Sequence, residues 1–570
     1  MPTLTWVGKD KVVNHHHDVP FRVLNKEYTF HSTAQHSTAQ HNYTEPPLKN
    51  LNNRIIHGDN LEALKSLLPE FEGKINCIYI DPPYNTGNEG WVYNDNVNDP
   101  KIKKWLGQVV GKEGEDLSRH DKWLCMMYPR LKLLHRLLSD DGAIFVSIDS
   151  NEQANLKLVM DEIFGGANFI STVSCINNPK GRSDDKYVAM AHESILIYRK
   201  SSKLLMGGFE ATEKITKRYK KVESNGAVYR EIDLRKTGDS DTRESRPNMY
   251  YPFFFNKKTL NLSVGRLGDL LHEDCIVIFP MKSATIEGRW RWGAETAEEN
   301  ISNLYAKYMP TKKQWSVFEK DFFVADRSIK PTSVWDFKDV NSERGTETFF
   351  NLGFVKSDFP NPKPVGTIER VLKLATKKGS LILDSFAGSG TTAQAVLNLN
   401  AQDGGSRRFI CVEMMDYAET ITAERVRRVM NGYGEGSKAV KGLGGGFHYY
   451  TVGEPLFLED RNLNEAVGEC AIRKYVAYTE NIPSQQQTDK NNPVSPYTLG
   501  VSDLALWVFY YQPEQVTTLD MDFLASLAIN TLQNRPENYV IYADKCTLEN
   551  SFMTQHGIVF KRIPRDITKF

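Results

Sequence analysis

Three things are scarce in this sequence, and each scarcity excludes a class. No apolar run approaches the roughly 20 residues that span a bilayer, and the opening MPTLTWVGKDKVV lacks a secretory pattern, so the expectation is a cytoplasmic protein without a membrane partner. Seven cysteines stand far apart with no Cys-x-x-Cys pair, which argues against a zinc site and a disulfide framework. His15, His16 and His17 are a compositional metal signal, read here as a solvated terminal segment; no metal is expected. Charge of one sign is also missing, since 71 Lys and Arg balance 71 Asp and Glu. A nucleic-acid surface would therefore have to come from local clusters such as KITKRYKK, residues 214–221, which alone reads as a solvated face.

What is present is a soluble globular composition in 570 residues, too long for one core. RIIHGD (54–59) and INCIYI (75–80) read as buried strands around the helix NLEALKSLLPE, and YPRLKLLHRLLSDDG (128–142) reads as a helix before the strand AIFVSI. This alternation predicts a parallel, doubly wound sheet. It lapses over 201–345 and resumes with the helix ERVLKLATKKG, the strand and glycine turn SLILDSFAGSGTT, and the strand RRFICVE. The expected organisation is an arm (1–50), a first sheet half (51–200), an inserted domain (201–345), a second sheet half (346–450) and a C-terminal α/β domain (451–570).

Two motifs carry chemistry. FAGSGTT (386–392) follows a strand and opens a helix; Gly388 and Gly390 let backbone amides approach a ligand at the sheet's carboxyl edge. Glu413 ends the next strand, where an acid can take two ribose hydroxyls, while Thr391 and Thr392 in place of a full G-x-G-x-x-G argue against a dinucleotide. DPPYNTG (81–87) is sharper. Its prolines remove two N–H donors and leave a carboxylate and carbonyls as acceptors at a strand end, a site suited to a planar amino group.

On these motifs the sequence resembles the amino-directed, AdoMet-dependent DNA methyltransferases, and DPPY before FAGSGTT is similar to the permuted β class. The resemblance implies a Rossmann-like AdoMet methyltransferase sheet, circularly permuted, with an inserted target-recognition domain. Aspartate at the head of DPPY implies adenine N6, with cytosine N4 as the alternative. Asp81 and the Pro82 carbonyl, beside Pro83, would accept the two amino hydrogens, and Tyr84 would stack on a flipped-out adenine. For S-adenosyl-L-methionine it implies Phe386, Ala387, Gly388, Gly390 and Thr391 at the methionine end, Asp384 beside them, Glu413 on the ribose and Asp59 of HGDN near the adenine. Asn361 and Lys363 of NPKP would help to close the methionine pocket.

Across nearly the whole length, DPPYNTGNEGWVYND, RKTGDSDTRESRPNMYYPFF (235–254), GRWRWG (288–293) and GGGFHYY (444–450) resemble the modification subunits of type III restriction-modification systems. This implies double-stranded DNA as substrate, a homodimer and a separate restriction subunit. Arg235, Lys236, Arg243 and Arg246 would contact phosphates, and Arg289 and Arg291 flank Trp290 in a segment able to reach bases. A non-catalytic AdoMet-binding recognition subunit is the rival from another class, and the intact DPPY argues against it.

HSTAQHSTAQH (31–41) repeats a word with no large apolar residue to bury, which reads as a polar loop. Tandem AGCAC read in triplets gives AGC, ACA, GCA, CAG, CAC, the order Ser-Thr-Ala-Gln-His from Ser32 to His36. A slipping pentanucleotide there would shift the frame ahead of every catalytic motif, so the expectation is a phase-variable gene.

Overall fold

The computed structural model describes residues 3–32, 52–86, 119–181, 186–210, 216–269, 274–324 and 328–565. Most of the repeat, from residue 33 on, lies outside them, as does the stretch after Thr86 that completes DPPYNTGNEGWVYND. Two compact units emerge, one of residues 1–207 with 332–570 and one of residues 208–331.

The larger unit is built on ten strands: β1 (Arg22–His31), β2 (Arg54–His57), β3 (Ile75–Ile80), β4 (Leu138–Ile148), β5 (Phe169–Cys175), β6 (Glu193–Arg199), β7 (Val334–Trp335), β8 (Leu381–Asp384), β9 (Arg408–Glu413) and β10 (Gly446–Pro455). Their order in the sheet is β1-β10-β2-β9-β8-β3-β4-β6-β5-β7. From β10 to β4 all neighbours are parallel, and β6 runs against both β4 and β5. The central strands are apolar because helices cover both faces: Ile55, Ile56, Ile78, Ile80, Leu383, Ile410 and Val412 are all fully buried. The decisive pairing is β8 with β3, Ile382 opposite Cys77 and Leu383 opposite Ile78. Two halves far apart in sequence thus lie side by side, and chain order reverses between these strands, where open α/β sheets bind ligands.

Helix α1 (Asn60–Phe71) begins where the Asp59 side chain accepts from the Leu61 and Glu62 amides. Helix α2 (Arg119–Leu137) extends back to Arg119, well before the expected Tyr128, and ends at Leu137, so the Ser-Asp-Asp-Gly expected to close it lies within β4. Helices α3 (Val365–Ala375) and α4 (Thr391–Asp403) flank β8 in sequence.

Several boundaries differ from the sequence expectations. The compact insertion spans 208–331, because β7 pairs with β5 and helix Ser342–Asn351 lies in the larger unit. Strand β10 runs through the expected break at 450 to Pro455. The C-terminal residues carry their own four-stranded sheet, Thr498–Val501, Ala505–Phe509, Asn538–Ala543 and Ile558–Arg562, yet group with the larger unit. Tyr475 packs on Phe21 with ring centroids 5.0 Å apart, and the Tyr478 hydroxyl donates to Glu72 at 2.6 Å. The histidine run is solvated only in part: His17 is exposed, but His16 is buried in a short helical turn, its carbonyl accepts from Lys65, and burial lowers its pKa to about 4.

The smaller unit is antiparallel. Phe253–Asn256 is the middle of three strands, and a second sheet orders Leu304–Met309, Gln314–Phe322, Val228–Asp233 and Lys221–Val222. Trp290, fully buried, packs in its core with Phe253, Tyr251 and Val317.

Candidate active site

Both motifs lie at carboxyl ends of adjacent parallel strands, DPPY after β3 and FAGSG after β8, with Glu413 ending β9 and Asp59 following β2. A cleft between them is lined by Asn60, Asp81, Ser385, Phe386, Gly388, Glu413, Met414, Met415 and Tyr417.

The cofactor side is built on the glycine turn. Gly388 and Gly390 have φ of 50° and 81°, the left-handed region, and Gly390 caps α4. The turn is held from below: Gly388 N donates to Glu413 Oε2 at 2.7 Å, and Thr422, in the π-helical turn Glu419–Ala423, donates to the Gly388 carbonyl at 2.6 Å. Met415 N donates to the other Glu413 oxygen at 3.0 Å. Thr391 is buried and structural, donating to the Lys363 carbonyl and accepting from the fully buried Arg425. Asp384 accepts from Phe386 N at 3.0 Å and from Thr392 Oγ1, and its burial pushes the carboxyl up to about 7. Phe386 and Ala387 are almost enclosed.

On the other side of the cleft the backbone of DPPY is fixed. Trp123 Nε1 donates to the Pro83 carbonyl at 2.7 Å, and Asn85, itself at φ 56°, donates to the fully buried Glu152. Pro82 and Pro83 are buried, and Asp81 is 5% exposed. Burial pushes the Asp81 carboxyl up; Lys363, 3.2 Å from Oδ1, pulls it down, and Glu193 pushes it up again. Burial opposes the charge on Lys363, but Asp81 and Glu193 hold its ammonium above the usual lysine range.

Lys363 therefore reaches the DPPY side of the cleft, although sequence reasoning assigned it to the methionine pocket. Asn361 is exposed and is not among the lining residues. Asp59 serves as the N-cap of α1 with Oδ1 and stands 3.8 Å from Arg130 through Oδ2, whereas its neighbour Asn60 lines the cleft and donates to the Ser385 carbonyl at 3.0 Å. Sequence reasoning missed Asn60, Ser385, Met414, Met415, Tyr417 and Glu193. Asn60 was next to a quoted residue and Met414 next to Glu413; Glu193 carried no signal except its place at the head of a strand.

In the smaller unit, the two basic stretches meet each other, with Arg235 bridged to Trp290 and Thr242 to Gly288. That pairing redistributes the basic side chains. Arg289 is turned inward: it is 8% exposed and donates to the Ser240 and Trp290 carbonyls, so the expected DNA contact does not fit its placement. Arg243 pairs with Glu287 at 2.8 Å and lies over the Tyr250 ring, while Arg235 and Lys236 donate to nearby carbonyls. Arg246 and Arg291 are exposed.

Residues 75–424 match the N6/N4 family model described as DNA methylase. The chain is 36% identical over 368 residues to the type II methyltransferase M.KpnI of Klebsiella pneumoniae, covering 64% of this chain and 82% of that protein. It is 35% identical over 405 residues to the type III restriction-modification enzyme EcoPI Mod subunit of Escherichia phage P1, covering 69% and 61%. The StyLTI Mod subunit of Salmonella typhimurium is 32% identical over 377 residues, covering 64% and 52%. The chain thus spans between about half and two thirds of the two Mod subunits.

Proposed function

This chain belongs to the DNA methylase family, and we propose that it transfers a methyl group from S-adenosyl-L-methionine to N6 of an adenine flipped out of double-stranded DNA. The observation that carries this reading is one cleft with an acceptor-rich DPPY corner on one side and a glycine turn backed by Glu413 on the other. The cleft suits the cofactor chemically, with Gly388 and Phe386 in its lining and the carboxylate of Glu413 for ribose hydroxyls. When bound, the cofactor supplies an electrophilic methyl on a sulfonium.

The protein's own part is to make a poor nucleophile competent. The N6 lone pair is delocalised into the purine ring. Asp81 and the Pro82 carbonyl accept the two amino hydrogens, which favours a lone pair localised on nitrogen and pointing across the cleft. The Pro83 carbonyl is engaged by Trp123, which leaves the amino group to its neighbours. Tyr84 stacks on the base and offsets part of the few kcal/mol that extrusion costs. So held, the N6 lone pair would face the methyl that the bound cofactor supplies, would form the new N–C bond as the sulfonium's C–S bond gave its electron pair to sulfur, and the surplus proton on nitrogen would pass through the cleft to solvent.

The relatives named as Mod subunits of type III restriction-modification enzymes support a finer reading, a modification subunit with a separate restriction subunit; we further propose that it works as a homodimer and that the smaller unit serves target recognition. Incubation with labelled AdoMet and duplex DNA, followed by nucleoside analysis, tests the activity; N4-methylcytosine or no labelled base overturns the adenine assignment. Size-exclusion light scattering, alone and with the restriction subunit, tests the assembly. The repeat at 31–41 supports phase variation, which fails if its codons are not a near-perfect pentanucleotide tract or if the tract never varies among sibling colonies.

A further inference from the structure

Glu193 is a buried carboxylate for which direct transfer has no task. It opens β6, which runs against β4, so it arrives at the edge where the parallel strands end. Its Oε2 accepts from the Tyr84 hydroxyl at 2.8 Å and from Lys363 Nζ at 2.5 Å. Lys363 also donates to the Tyr84 oxygen at 2.5 Å and stands 3.2 Å from Asp81 Oδ1. The ammonium thus hydrogen-bonds to Glu193 and to the Tyr84 oxygen and faces Asp81 Oδ1 as an ion pair. The side chains of Asp81 and Glu193 are each 5% exposed and that of Lys363 is 14% exposed, so little water screens the group.

With both carboxylates ionised, the trio carries one net negative charge. That charge suits a cation on sulfur before transfer and on nitrogen after it. An isolated Asp81 in this burial would turn freely and favour its neutral form, and the Tyr84 ring would lack an anchor at its hydroxyl end.

We propose that Glu193 and Lys363 are positioning residues for methyl transfer: Lys363 pins Asp81 Oδ1 so that Oδ2 meets the target amino group, and Glu193 pins Lys363 together with the Tyr84 ring. The inference rests on the roles given above to Asp81 and Tyr84. It departs from the assignment of Lys363 to the methionine pocket.

The groups facing Asp81 are Lys363, Glu193, Tyr84, Tyr79 and Asp384, and they set the direction of each test. Ionised Asp81 is the stronger acceptor and carries no proton to set against the amino hydrogens, so activity falls as pH drops through its raised pKa. Lys363 favours the charged carboxylate and Glu193 opposes it. In the full-length protein, Lys363→Met should therefore move the acidic limb of kcat/KM to higher pH, and Glu193→Gln should move it to lower pH. Each should lose about 10²-fold in kcat, as a small misplacement of a reacting group does, with AdoMet affinity by calorimetry close to the parent's. Loss of the Lys363 or Glu193 side chain through structure alone would not move the limb in opposite directions.

Unmoved limbs, limbs that move together, or a loss confined to AdoMet binding in Lys363→Met would overturn the inference. If either variant does not fold, Tyr84→Phe decides: it removes the hydroxyl that donates to Glu193 and accepts from Lys363, so kcat should fall with AdoMet affinity unchanged, and an unchanged kcat overturns the network. Asp81→Ala separates the two levels. An active Asp81→Ala protein refutes the transfer reading itself, whereas an inactive one beside unaltered Glu193 and Lys363 variants refutes only the positioning role.

Discussion

The cleft of the larger unit and the basic stretches of the smaller one were both singled out from sequence, and the structure treats them differently. At the cleft, DPPY, FAGSG and Glu413 converge on adjacent strand ends. In the smaller unit the chosen arginines divide, Arg289 turning into the fold and Arg291, two residues on, standing in solvent. The difference teaches where sequence motifs carry information. Adjacent prolines fix the backbone and closely spaced glycines free it for the left-handed region, so both act on the chain itself and mean nearly the same thing in any context. An arginine is a long flexible donor whose partner is set by whatever the fold brings near it.

The largest effect that would break this contrast is at Asp81. Asp81→Ala should lower methyl transfer by about 10²- to 10³-fold or more, the scale of losing an aimed polar contact in a transition state. Nucleoside analysis of labelled DNA measures it, and activity within tenfold of the parent defeats the assignment. Gly388→Val comes next. Its φ of 50° suits glycine and is hostile to a β-branched residue, so AdoMet binding should fall below detection by calorimetry while circular dichroism stays near the parent's.

The arginine contrast is sharpened by a pair. Arg289→Ala should lower stability by about 1–3 kcal/mol, the cost of leaving buried carbonyls without donors, seen as an earlier thermal transition. Arg291→Ala should leave that transition in place and reduce the salt slope of DNA affinity by about 1 if it meets a phosphate. Equal effects of the two on melting would erase the distinction.

The smallest effect concerns Asp384. Its folded-state pKa is raised to about 7, so ionisation costs stability that is intact below its unfolded value and lost as pH rises through the folded one. Between about pH 4 and 8, Asp384→Asn should gain in melting temperature relative to the parent. A difference independent of pH would show that Asp384 is not titrating in that window.

Much of the fold was legible beforehand because fully buried parallel strands must be apolar: RIIHGD, INCIYI, SLILD and RRFICVE all became central strands. The site was legible where prolines and glycines, which act on the backbone itself, marked it. Asp59 and Asn60 show the limit, since the quoted residue caps a helix and its unremarked neighbour lines the cleft. Boundaries failed for a related reason. Strand β10 continues past 450 because its partner β1 offers a long edge, from Arg22 paired with Pro455 to His31 paired with Gly446.

By itself the sequence determined the strand set, the order of the two motifs and the residue types able to hold an amino group and a ribose, because period, proline and glycine act locally. Only the tertiary structure decided that β8 lies beside β3, that Lys363 reaches Asp81 and that Glu193 joins them. These are contacts between strand ends and loops remote in the chain. No local preference of Glu193 or Lys363 encodes them; they arise when the sheet brings β3, β6 and the loop before α3 to a common edge and burial forces the charges there to find one another.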